Sequence, residues 1–300
     1  MSAVIQIEGL RKSFGKKVVL DQLTLQVDRG AVYGLVGANG VGKTTTLKIL
    51  LNMLPAASGR AEILGVPSAK LQPVDFTRIG YVSENQRLPD WMTVGYFLNY
   101  LKDFYPKWDA ALCAQMLKQM DLPVDRKLGD LSRGMKMKAA LVSSLAYRPE
   151  ILILDEPFSG LDPLVRDEFV EGLLEQAGDM TILLSSHDLA EMESFASHIG
   201  FLEGGRMRFS EEIATLTARF REIQVTLTDT PPSPSPWPEH WLVREASAAV
   251  CRFVDSAYRA GETESRIRAL FPHLRDLQVA PMTLRQIFVA LAKSQRPQAA

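Results

Sequence analysis

The hydrophobic positions fall into short runs of two periods. Residues 4–10 alternate, with Val4, Gln6 and Glu8 set against Ile5 and Ile7. That period of two predicts a half-buried strand. The polar stretch 11–17 predicts a turn, and residues 18–27 a strand pair broken near Asp21. Residues 31–36 are apolar with β-branched members, as a buried strand requires, and residues 45–51 read as a helix. Short strands are expected over 60–64 and 79–83, with a polar loop over 84–90. Apolar residues then recur at helical spacing over 93–120, interrupted at Pro106, which predicts two helices. A strong helical pattern over 136–147 precedes an apolar strand over 151–156 that ends in two carboxylates. Residues 181–185 form another buried strand, and 204–222 a transition. Strands over 222–227, 241–245 and 249–254, with helices over 262–271 and 283–293, predict a small α+β unit. Its proline-rich stretch 228–238 lacks the N–H donors of a helix or central strand and reads as an exposed loop.

The chemistry centres on Gly37-Ala38-Asn39-Gly40-Val41-Gly42-Lys43-Thr44, followed by Thr45. This is the G-x-x-x-x-G-K-[ST] pattern, placed between a predicted strand and a predicted helix. Phosphate oxygens need several N–H donors converging on one point. Gly37, Gly40 and Gly42 free the backbone to provide them, and the following helix turns its positive end to the anion. Asn39 lies within the same loop. Lys43 adds a mobile positive charge for β- and γ-phosphates. The Thr44 hydroxyl suits Mg²⁺, and Thr45 can donate to the α-phosphate. These residues point to nucleotide binding.

Other candidates carry two readings each. Phe14, an aromatic in a polar turn, either stacks on a base or anchors the turn. Ser132 and Gly134, before the 136–147 helix, form either a second anion-binding terminus or a plain N-cap. Asp155 can hold Mg²⁺ through water, and Glu156 can accept a proton from attacking water. The alternative is surface charge after a buried strand. His187, just past a strand, either contacts a γ-phosphate or is structural.

Composition narrows the class without adding chemistry. Of 300 residues, 46% are hydrophobic and 23% charged, an ordinary globular balance. The net charge of −1 gives no basic footprint, so no nucleic-acid partner is expected. Cys113 and Cys251 lie far apart, without metal-ligand spacing, and read as buried thiols. The start Met1-Ser2-Ala3-Val4 has no basic region ahead of a long apolar core, so no leader is expected. No apolar run reaches the ~18 residues of a spanning helix. A soluble, cytoplasmic protein is expected, with any membrane role coming through a partner.

The order and spacing of these motifs resemble the nucleotide-binding subunit of ATP-binding cassette transporters. Residues 37–45 look like the Walker A loop, and 131–135 like the cassette signature. Residues 151–156 look like Walker B with its catalytic glutamate, 159–162 like the D-loop, and His187 like the switch histidine. Phe14 sits where that family stacks an aromatic on adenine. The resemblance covers roughly residues 4–220. Two positions depart from it. The usual Leu-Ser-Gly-Gly-Gln reads Leu-Ser-Arg-Gly-Met, with Arg133 and Met135 substituted. This variant is similar to that of bacterial ABC-2 type exporters whose membrane part is a separate chain. Glu84 stands where a glutamine usually contacts Mg²⁺ and couples to the permease, and Gln86 is a nearby alternative.

The resemblance implies an α/β fold of the P-loop NTPase class over residues 1–221. It has a mixed sheet core, an antiparallel β subdomain and a helical subdomain at about 85–150. An α+β accessory unit over 222–300, with its proline-rich loop at 229–238, follows. It implies ATP and Mg²⁺ as cofactors and Thr44, Glu84 and Asp155 as metal contacts. It further implies an ATPase peripheral on the inner membrane face through an integral-membrane permease, acting as a head-to-tail homodimer. Two ATP molecules would be sandwiched there, each between Walker A of one chain and Ser132 of the other. The alternatives are a soluble cassette ATPase acting on ribosome or DNA, and a non-catalytic regulator. Dimer contact and regulation both remain open for the C-terminal unit.

Overall fold

From the N-terminus run β1 (Ala3–Phe14), β2 (Lys17–Asp28), β3 (Val32–Val36), α1 (Lys43–Leu50), β4 (Ser58–Ile63) and β5 (Val66–Pro67). The computed structural model describes residues 2–228, 237–247, 249–271 and 273–294. β1 and β2 form an antiparallel hairpin that continues into a four-stranded sheet of order β2-β1-β4-β5. The turn expected over 11–17 shrinks to Gly15 and Lys16, because Ser13 pairs with Val18 and Phe14 with Lys17. Polar residues continue this strand because it projects into solvent there. The break expected near Asp21 is a bulge instead. Gln22 takes a positive φ of 58° and the register shifts, but β2 is one strand.

Next come β6 (Ile79–Ser83), α2 (Val94–Lys102), α3 (Ala110–Gln119), α4 (Arg133–Leu145), β7 (Ile151–Asp155), α5 (Pro163–Ala177), β8 (Thr181–Ser186), α6 (Ala190–Glu193), β9 (His198–Glu203) and β10 (Arg206–Glu212). A second sheet has the order β10-β9-β3-β8-β7-β6, and β9, β3, β8, β7 and β6 are parallel where paired. Its central strands are apolar on both sides; all of Ile151–Asp155 and Thr181–Ser186 is buried. That is how a parallel sheet covered on two faces reads. Thr93, Asp109, Ser132 and Asp162 cap α2, α3, α4 and α5 by accepting from backbone N–H groups of the first turn. The Ser132 cap starts α4 at Arg133, ahead of the expected 136.

The strand order matters for the site. Register places Val36 beside Ser186, Ser185 beside Asp155, and Asp155 beside Ser83. The C-terminal ends of β3, β8, β7 and β6 therefore line one edge. In open α/β sheets ligands bind at that edge.

The chain divides into two units, Met1–Ser210 and Glu211–Ala300. The second holds α7 (Ile213–Arg219), β11 (Arg221–Leu227), β12 (Trp241–Ser247), β13 (Val250–Asp255), α8 (Glu262–Leu270), β14 (Leu274–Pro281) and α9 (Leu284–Ser294). Its antiparallel sheet runs β12-β13-β11-β14. The core joins Ile223, Val225, Trp241, Phe253, Ile267 and Phe271, with the Trp241 and Phe253 rings stacked 4.3 Å apart. The stretch read as a transition contains β10 and α7, and Arg219 of α7 donates to Glu211 and to the Ser256 carbonyl. Of the proline-rich stretch, residues 229–236 lie outside the described residues. Cys113 and Cys251 are buried and unpaired, and burial pushes the Cys113 thiol up to about 11. Among the described residues, no helix is long and apolar enough to cross a membrane.

Candidate functional site

The glycines of the 37–42 loop are where they are for steric reasons. A Cβ on Gly37 would sit 2.4 Å from the Leu202 carbonyl oxygen. Gly42 has φ 118° and caps α1; a Cβ there would lie 2.5 Å from Leu20 Cδ2. Gly40 also has a positive φ, 78°. Only glycine holds this path without strain. Gly42 offers α1 no side-chain cap, which leaves the helix's first N–H groups without a capping side chain and suits them to an anion.

A pocket of about 330 Å³ opens at this edge of the sheet. It is lined by the loop residues Asn39, Gly40, Gly42, Lys43, Thr44 and Thr45, and by Glu84, Glu156, Ser159 and His187. Strands β3, β6, β7 and β8 thus each deliver a side chain or loop to one cavity.

The polar contacts are dense. Lys43 Nζ donates to the carbonyls of Gly37 (2.6 Å) and Ala38 (3.2 Å). It also lies 2.9 Å from Glu156 Oε1. Glu156 takes φ 51°, rare outside glycine, and its N–H meets Ser185 Oγ at 3.0 Å. This left-handed residue ends β7 and swings the carboxylate over the loop. Its other oxygen, Oε2, is 2.8 Å from His187 Nδ1. That hydrogen bond is the chief reason the imidazole's pKa is raised.

Asp155 is buried, and its Oδ1 accepts hydroxyl hydrogen bonds from Thr44 (2.9 Å) and Ser185 (2.7 Å). Burial raises its pKa, and the two hydroxyls pull against that rise. A buried carboxylate beside a threonine hydroxyl is a hard-oxygen donor pair that suits Mg²⁺, an ion that keeps several water and phosphate ligands. Among the described residues no cluster of three or more His, Cys, Asp or Glu could hold a metal alone.

Phe14, Ser132 and Gly134 are not among the pocket's lining residues. Phe14 is 50% exposed at the hairpin tip, with the Lys12 ammonium 5.2 Å from its ring centroid. Ser132 is exposed, and its Oγ accepts from Met135 N–H at 3.2 Å. Gly134 packs α4 against α5, where a Cβ would meet Val165 Cγ1 at 2.7 Å. Between the two glutamine-position alternatives, Glu84 lines the pocket. Gln86 turns its Oε1 to the Ser83 N–H at 3.4 Å instead. Ser159 entered only as the first residue of the D-loop-like stretch 159–162, and Ser185 was not singled out by the sequence. The signal for Ser185 is position alone, a small polar residue at the end of β8.

A family model described as "ABC transporter" matches residues 20–159. Over 224 residues the chain is 30% identical to the ABC transporter ATP-binding protein YtrB of Bacillus subtilis, covering 74% of this chain and 76% of that protein. The chain belongs to the ABC transporter family. It is an ATP-binding subunit of that family, and an ATPase. It is also 34% identical over 213 residues to Nod factor export ATP-binding protein I of Cupriavidus metallidurans, covering 69% of this chain and 70% of that one. A solved structure described as the ATP binding subunit of an ABC transporter superposes with a TM-score of 0.65 at 27% identity. That match covers 72% of this ABC ATPase and 92% of the solved chain.

Proposed function

We propose that the subunit hydrolyses Mg²⁺-bound ATP to drive a separate membrane permease, as an exporter. The observation that carries this is the contact chain His187–Glu156–Lys43 at the phosphate loop, beside Thr44–Asp155–Ser185. Loop N–H groups and Lys43 bind the phosphates, with Thr45 at the α-phosphate. Thr44 and Asp155 would hold Mg²⁺, with Glu84 as a further contact. The ion, when bound, neutralises charge on the β- and γ-oxygens. Water oxygen bonds to the γ-phosphorus as the bond to the β–γ bridging oxygen breaks. Glu156 accepts the water proton, and ADP and phosphate leave. His187 holds the Glu156 carboxylate and reaches the γ-phosphate. Phe14 stacks on adenine without reading it.

Ser132 and Gly134 belong to a second copy's site in this reading. Two chains pair head to tail, and each ATP lies between the loop of one and Ser132 of the other. The two-fold arrangement makes the sites equivalent. Export is supported by the relative named for Nod factor export. The subunit works on the cytoplasmic face, attached through the permease. Residues 1–221 serve as the ATPase domain and 222–300 as an accessory domain.

The test uses the full chain. ATP hydrolysis should require Mg²⁺, vanish with a chelator and return on adding the ion. Co-expression with a multi-span permease should move the chain to the membrane fraction. Chelator-resistant hydrolysis would refute the Mg²⁺ assignment, and a chain that co-purifies with ribosomes or DNA would refute the transport one.

A further inference from the structure

The pocket read as the site of an anionic polyphosphate has carboxylates in its own wall. Glu84 and Glu156 both line it, and Asp155 stands behind Thr44. Lys43 faces Glu156. Glu84 has a different partner. Its Oε1 accepts from Arg133 Nη2 and from Ser159 Oγ, the latter at 2.9 Å. Arg133 is the first residue of α4, next to the Ser132 cap. Its guanidinium also lies over the loop after β7. A Cβ on Gly160 would be 3.0 Å from Arg133 Nη1, and Gly160 itself has φ 67°. One guanidinium thereby ties the loop after β6, the start of α4 and the loop after β7. Arg133 and Glu84 are also positions where the sequence departs from the family pattern: a cation replaces glycine, an anion replaces a neutral amide.

We infer that Arg133 is a positioning residue for ATP binding, acting through Glu84 as one charge-compensated pair. An unpaired Glu84 carboxylate would repel the phosphates. Paired, it is neutralised and held to the wall, and the two substitutions are tolerable only together. The inference rests on the reading of this pocket as the ATP site.

The pair is partly solvated, with Arg133 47% and Glu84 26% exposed, so a modest effect is expected. The experiment compares wild type, Arg133→Gln, Arg133→Lys, Glu84→Gln and the double variant Glu84→Gln/Arg133→Gln. Affinity for MgATP is read on the full chain by displacement of a fluorescent ATP analogue, at low and high salt, alongside thermal melting. Arg133→Gln should weaken binding about fivefold at low salt. High salt should shrink that loss, because it screens the uncompensated charge. Arg133→Lys keeps the charge and should bind close to wild type. The double variant should bind as Glu84→Gln does, because Arg133 has nothing to compensate once the carboxylate is gone, the coupling that marks an interacting pair.

Unchanged affinity in Arg133→Gln overturns the inference. So does a double variant weaker than Glu84→Gln by as much as Arg133→Gln is weaker than wild type, which includes the case where Arg133→Gln simply lowers the melting temperature. A failure of the ATP-site reading looks different: the wild type would not bind MgATP, or Lys43→Ala would bind it as well.

Discussion

Lys43 Nζ sits 2.9 Å from Glu156 Oε1, with the two side chains 4% and 13% exposed. This contact joins the start of α1, after β3, to the residue that follows β7, across the intervening strand β8. Two opposite charges so far out of water need each other, and each needs further hydrogen bonds. Lys43 has the carbonyls of Gly37 and Ala38, and Glu156 has His187. The phosphate-binding cation and the proposed proton acceptor are therefore one unit.

Glu156→Gln separates binding from turnover. Lys43 keeps both loop carbonyls, so ATP affinity should hold. Hydrolysis should fall by about 10²–10⁴, the usual cost of losing a general base. Equilibrium binding and steady-state turnover on one preparation check this. Near-normal turnover would remove Glu156 from the chemistry.

His187 gives the stability a pH signature. Its folded pKa is raised above 6.5, chiefly by the bond to Glu156. A group raised on folding adds stability that is complete below the unfolded pKa and lost as pH rises through the folded one. Wild type should therefore exceed His187→Gln in melting temperature most strongly below pH 6.5. The gap should close as pH climbs past the raised value. A gap that widens with pH would mean that the imidazole is held neutral.

Phe14 is expected to act on every base alike. Its ring is half exposed at the hairpin tip, and its near neighbour is the Lys12 ammonium, which does not distinguish one base from another. Phe14→Ala should weaken ATP and GTP together, by roughly 1–3 kcal/mol on the scale of base–aromatic stacking. Titration with both nucleotides decides it. Unchanged affinity assigns the ring to the hairpin tip.

What the sequence revealed, and what it hid, follows from the range of the forces involved. The phosphate loop is legible because its geometry is local: glycines at fixed offsets, then Lys43 and Thr44 opening a helix. The carboxylates at 155 and 156 are legible because a buried strand must end before charge begins. α5 escaped because its face is mixed, with Leu164 at 68% and Leu174 at 42% exposed around the buried Phe169 and Leu173. β14 escaped because it is an edge strand, exposed at most positions. The contact between Glu84 and Arg133 spans 49 residues, and no local pattern encodes it. The alternatives Glu84 and Gln86 separate only in three dimensions, where a turn sends one side chain into the pocket and the other back to the backbone.

The shared site is the central claim, and linked dimers test it most directly. Ser132 is exposed at the start of α4 and is absent from the pocket that Lys43 lines. One linked dimer carries Lys43→Ala in one half and Ser132→Arg in the other. A second carries Lys43→Ala in one half only. If sites are shared, both lesions of the first dimer fall in one site, and an intact Lys43 meets an intact Ser132 in the other. The two linked dimers should then hydrolyse ATP at similar rates. If the singly lesioned dimer is active and the doubly lesioned one is dead, each chain completes its own site, and the shared-site account is wrong.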